Sequence, residues 1–131
     1  MNNLTNKELL DICIKDYFEN VDKKNIQEIL STMHHDAIIE IKTDNLIHSG
    51  RDSEIKNMLN GYFEAYPKLW HGNFSPVVDV LRQIVVLQFN WSIVNKKKEE
   101  DSGSNVNIFK FKEGKIAHII IYMSTKDNPL K

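Results

Sequence analysis

The segment Ile84 to Val94 alternates with a period of two. Leu87, Phe89, Trp91 and Ile93 fall on one side, and Gln88, Asn90 and Ser92 on the other. Only a strand with one dry and one wet face satisfies this, because successive side chains point to opposite sides of a sheet. Similar segments surround it. Leu69 to Leu81 reads as a strand interrupted near Pro76, where a proline implies an edge, a bulge or a bend. Val106 to Lys112 and Ile116 to Met123 read as a hairpin joined by the tight turn Glu113-Gly114. Between them and Val94, the charged run Lys96 to Ser104 reads as a solvated turn, its three lysines cancelled by Glu99, Glu100 and Asp101.

A sheet with one apolar face needs a cover, and the first half of the chain supplies helices. Thr5 and Glu8 form a capping box. Leu9, Leu10, Cys13, Ile14, Tyr17, Phe18 and Val21 then recur at helical spacing as one apolar stripe. Asp22 reads as the cap of a second, shorter helix with the stripe Ile26, Ile29, Leu30 and Met33. Ala37 to Ile41 is short and β-branched, a strand returned by Leu46 to Ser49 after a turn at Asp44-Asn45. A third helix, capped by Asp52 or Ser53, carries Ile55, Met58, Leu59, Tyr62 and Phe63 and stops at Pro67.

Helices before strands give an α+β class: three N-terminal helices packed on a curved antiparallel or mixed sheet. The 131 residues fit one domain, with a core over about 5–124 and a patternless tail, 125–131. Three helices cover one sheet face. The other is left with Ile120 and Tyr122 beside His118, Gln88 and Asn90, which suits a homodimer through the convex face.

Charge and composition close off other classes. Seventeen basic against 18 acidic residues give a net charge of -1, so neither nucleic acid nor an anionic membrane surface is the expected partner. Cys13 alone makes neither an intramolecular disulfide nor a multi-cysteine zinc site. The polar start and the short apolar runs place the chain in the cytoplasm. No phosphate loop, serine nucleophile elbow or HExxH is present.

Several local patterns resemble one family. These are Tyr17-Phe18 late in the first helix, the Met33-His34-His35-Asp36-Ala37 junction, Ser49-Gly50-Arg51-Asp52-Ser53-Glu54-Ile55, and the last strand from Gly114 to Tyr122. In order and spacing they resemble the nuclear transport factor 2-like superfamily, specifically its SnoaL-like branch, over roughly residues 5–124. The resemblance implies a cystatin-like α+β cone with a pocket between helices and sheet. It leaves activity open, since this fold hosts isomerases, cyclases, dehydratases and binding proteins. Carried over from ketosteroid isomerase, the oxyanion-binding tyrosine falls on Tyr17 and the second oxyanion donor near Asn107. The general base falls on Ile41, which takes no proton, so the steroid mechanism is lost. The same alignment turns Ile39, Ile41, Trp91, Phe109, Phe111, Ile119, Ile121 and Met123 toward the pocket, with Phe63 from the third helix as a further wall residue.

The candidate site is therefore Tyr17 and Asn107 as ligand-oxygen donors and His71, in the third strand, as proton carrier. Glu40 stands one residue out of phase with Ile41 and so on the opposite face; Asp79 is similarly misplaced beside Pro76. His118 shares that outer phase. His34-His35-Asp36 has too few ligands at metal spacing, and its adjacent histidines are expected to diverge, so no metal is assigned. The functional expectation is a small, largely apolar ligand in the cavity, with cofactor-free isomerase-, cyclase- or lyase-type chemistry. The competing expectation is a non-enzymatic dimeric scaffold whose cavity is filled.

Overall fold

A computed structural model describes residues 3–125 and 127–131. The first helix starts as α1 (Asn6–Asp11), with the Thr5–Glu8 capping box formed in both directions. It continues as a π-helical segment (Ile12–Glu19) and closes with α2 (Asn20–Asp22). Its stripe is buried at Leu9, Cys13, Tyr17, Phe18 and Val21. Next come α3 (Ile26–Ser31) and, after two strands, a second π-helical turn (Gly50–Ile55) leading into α4 (Lys56–Ala65). Lys24, at a φ of 59°, sends its ammonium to the carbonyls of Phe63, Tyr66 and Pro67, tying the helix break to the C-terminus of α4.

Six strands form one sheet: β1 (Met33–Ile41), β2 (Leu46–Ser49), β3 (Lys68–Asp79), β4 (Ile84–Val94), β5 (Glu100–Lys112) and β6 (Lys115–Met123). Their order is β2-β1-β6-β5-β4-β3. All pairs are antiparallel except β1 with β6, so the sheet is mixed. The expected phase of β4 holds: Leu87, Phe89, Trp91 and Ile93 are buried against the helices, and Gln88 and Asn90 are exposed. Glu113 and Gly114 both take positive φ, the conformation that a two-residue hairpin between twisted strands requires.

Several boundaries differ from expectation. Met33 begins β1 rather than ending a helix, and β1 pairs irregularly with β6 between Met33 and Ile38. The charged loop is shorter than predicted, because the Asn95 carboxamide accepts the N–H groups of Lys97 and Glu99 and folds the turn tightly. Residues 100–104 are thereby paired with 90–94. Pro76 is in register with Leu87, and the irregularity lies between Gly72 and Ser75, where Asn73 has a φ of 55°. The proline is tolerated because β3 is an edge strand. Neither Asp22 nor Asp52 caps a helix: Asp52 pairs with Arg51 (2.9 Å), and Asp22 turns to β3.

Candidate functional site

Between the first helix, α4 and the inward face of the sheet lies a cavity of about 40 Å3. That holds roughly three water molecules, against ~300–1,000 Å3 for typical ligand pockets. Its walls include Tyr17, Ile39, His71, Trp91, Asn107, Ile121 and Met123, seven of the residues expected there. The other five stand elsewhere. Ile41, Phe109 and Ile119 are fully buried core residues, Phe63 is buried on α4, and Phe111 packs at the core's edge. The sheet's dry face is longer than the cavity. Over Phe109, which is paired with Ile119, that face is closed by the rings of Tyr17 (5.5 Å) and Phe18 (6.1 Å). Phe111 lies at a register shift, where β5 leaves its pairing with β6.

His71 is the centre of the site. It pairs with Trp91 before the β3 irregularity and so shares the inward phase of β4. Its Nδ1 lies 2.6 Å from Asp22 Oδ1, and its backbone N–H donates to Asp22 Oδ2 at 3.1 Å. One carboxylate thus holds both the strand and the ring. The imidazole is only 8% exposed and packs on Phe18 (5.0 Å between ring centres) and Phe89 (5.8 Å). With Nδ1 committed to Asp22, Nε2 is the nitrogen left for a ligand. Asp22 was read from the sequence only as a cap. The missed signal is a carboxylate four residues after Phe18, at the edge of an otherwise apolar stripe.

The remaining polar groups are short of partners. Tyr17 is buried, and its hydroxyl makes no hydrogen bond within the described residues; burial raises its pKa, so it stays a donor. Tyr62, predicted as plain core, also lines the cavity, and burial first and Asp22 second raise its pKa as well. Asn107 is 2% exposed, and its Oδ1 is buried with no donor among the described residues. Neighbouring Asn105 is satisfied, accepting from Trp91 Nε1 at 2.8 Å. Trp91 fits there because Gly103 opposite it has no Cβ, which would come within 2.7 Å of the indole. Orphaned buried polar atoms are rare, because an unmade hydrogen bond costs about 1–3 kcal/mol. One of them, Asn107 Oδ1, lines this cavity together with the unbonded Tyr17 hydroxyl.

The other candidates fall outside it. Glu40 and His118 meet on the convex face at 3.2 Å, with Lys42 on the other carboxylate oxygen at 2.7 Å. Asp79 is held by Arg82 in the β3–β4 turn. His34 and His35 do not diverge; their rings stack at 4.4 Å, and with Asp36 they bring ligand atoms within 4.8 Å of one another. The irregular start of β1 puts the two rings side by side. The group is largely solvated, and His35 is already paired with Asp36.

No family model matches the sequence, and no curated protein matches it. Solved structures do match in shape. AusH from Aspergillus nidulans superposes with a TM-score of 0.79 at 17% identity, over 96% of this chain and 90% of that one. Two others are both described as putative. One is a SnoaL-like polyketide cyclase from Shewanella putrefaciens (TM-score 0.78, 13% identity, 92% and 91% covered). The other is a ketosteroid isomerase from Kribbella flavida (0.71, 10%, 94% and 82%). At identities this low the superpositions bear on the fold alone: the chain shares the α+β cone of these structures.

Proposed function

We propose that the protein binds a small, largely apolar carbonyl compound between helices and sheet and moves its proton through His71, without a cofactor. The observation that carries this is the His71–Asp22 pair beside the unbonded Tyr17 hydroxyl and the unpartnered Asn107 side chain in an apolar cavity. His71 Nε2 takes a proton from the carbon next to the carbonyl. The electron pair of that C–H bond moves toward the carbonyl oxygen, whose growing charge accepts a hydrogen bond from the Tyr17 hydroxyl. Imidazolium then returns the proton, to the same carbon or to a conjugated one. Asp22 holds the ring and stabilises its charged form. His71 replaces the base missing at Ile41, from the opposite edge of the sheet. The polyketide cyclase and isomerase descriptions of the fold neighbours support carbonyl chemistry.

A small aromatic ketone such as acetophenone in D2O tests the reading. The protein should exchange the methyl hydrogens faster than buffer, and His71→Ala should not; equal rates in both overturn catalysis. Native mass spectrometry before and after denaturation then asks whether a ligand is carried at all. The small cavity of about 40 Å3 favours the second reading, a filled, non-enzymatic scaffold, and equal masses together with no exchange would establish it.

We also propose a homodimer through the convex face, which carries half-buried Ile38, Val106, Ile108 and Ile120 and exposed Tyr122. Sedimentation should give about twice the 15.3 kDa chain mass, and Ile120→Lys should return the monomer. No described helix is long and apolar enough to cross a membrane. A lone free thiol at Cys13 suits the reducing cytoplasm.

A further inference from the structure

The segment after β6 is built differently from everything before it. The last main-chain hydrogen bond along the described chain joins Ser124 N–H to the Ser104 carbonyl at 2.9 Å. Beyond it the chain is held by side chains. Asn128 Oδ1 accepts the Leu130 N–H at 2.8 Å, and His48 Nε2 meets the Leu130 carbonyl at 2.8 Å. Asn128 is 7% exposed, yet its Nδ2 has no acceptor among the described residues, so docking leaves one buried donor unmet. Pro129 and Leu130 nevertheless form part of the cavity wall, and both remain partly exposed to solvent.

We infer that Asn128–Leu130 is a displaceable plug on the ligand cavity, latched by His48. The inference rests on the cavity being the ligand site. It accounts for the mismatch between a wall of unpartnered polar groups and a void holding only about three waters. With Leu130 seated, part of the ligand's volume is occupied by the chain itself. A segment with no ladder bonds and an unsatisfied amide opens at far lower cost than a strand. A ligand binding only the open form therefore has its affinity reduced by the open fraction, and anything that loosens the latch raises it. His48 lies on β2 and is not part of the cavity wall, so it separates release of the plug from reshaping of the pocket.

The test uses the full chain and the uncharged apolar dye Nile red, with binding read by fluorescence. Loss of one hydrogen bond should tighten dye binding about fivefold in His48→Ala. His48→Gln keeps an amide donor and should restore the wild-type affinity. Leu130→Ala, which shortens the plug itself, should tighten binding about tenfold. In the unaltered protein, dye should speed hydrogen exchange at the Leu130 amide and leave the β5–β6 amides unchanged. Equal dye affinity in wild type and both alanine variants, with unchanged Leu130 exchange, overturns the plug and leaves the cavity standing. Dye binding to none of the proteins overturns both, because the plug then has nothing to exclude.

Discussion

Two histidine–carboxylate pairs stand back to back across the sheet. On the concave side His71 uses Nδ1 toward Asp22 at 2.6 Å, and its ring is 8% exposed. On the convex side His118 uses Nε2 toward Glu40 at 3.2 Å, is 30% exposed, and shares its carboxylate with Lys42. The ingredients match and the consequences differ. Asp22 also accepts the His71 backbone N–H, so that pair fixes a main chain and a side chain together. Glu40 answers to two cations in reach of water, where exposed ion pairs contribute little. A histidine beside a carboxylate is thus not in itself a site. What separates the two is which nitrogen remains free and what it faces.

The sharpest way to break the contrast is to remove each acid in turn. Asp22→Ala strips two bonds from a nearly buried residue and should cost about 2–3 kcal/mol in urea unfolding. Glu40→Ala should leave the midpoint almost unmoved. A smaller effect of opposite sign is expected at Asn107: replacing its unpartnered amide in Asn107→Leu should stabilise the fold by about 1 kcal/mol while weakening ligand retention in native mass spectrometry. Tyr17→Phe should leave stability within about 0.5 kcal/mol, because no protein bond is lost, and should reduce acetophenone exchange by roughly tenfold or more.

The smallest effect is in pH. The Lys42 ammonium bonded to Glu40, assisted by His118, holds that carboxyl below its ordinary 4.5. A carboxyl lowered by folding adds stability that is complete above about 4.5 and is lost as pH falls through its folded value. Glu40→Gln should therefore flatten the acid limb of a stability–pH curve only below that point. A loss of stability at neutral pH as large as that of Asp22→Ala would erase the distinction between the two faces. Nitrogen NMR would sharpen it: neutral His71 should carry its proton on Nδ1, and neutral His118 on Nε2.

The legible parts of the fold were those governed by neighbours in sequence. The alternation through Leu87, Phe89, Trp91 and Ile93, the Thr5–Glu8 cap and the Glu113-Gly114 turn are all decided within a few residues. The site depended on distant partners. Asp22 meets His71 across 49 positions, and its place at the edge of the apolar stripe does not say which residue it faces. The facing of His71 was hidden by the irregularity just beyond Gly72. On β5 the sequence does carry a signal. Asn105 and Asn107 stand in the inward phase, alternating with Val106 and Ile108, two amides where a core strand would carry aliphatics. Pocket and core residues share one apolar phase, so Phe109 and Ile119 could be separated from Ile121 only by seeing where the helices close over them.

The single parallel pair, β1 beside β6, dictates an order of events. Neighbouring hairpins can zip as they form, but β1 must wait for a strand about 80 residues downstream, a slow closure that brings together segments far apart along the chain. Ile39 and Ile121, on opposite sides of that seam, are both walls of the cavity. On a chain still emerging from the ribosome, His71 and Asp22 can already meet while the cavity beside them has no far wall. Until then the apolar edge of β1 is open to any other strand, and misassembly is most dangerous in that interval.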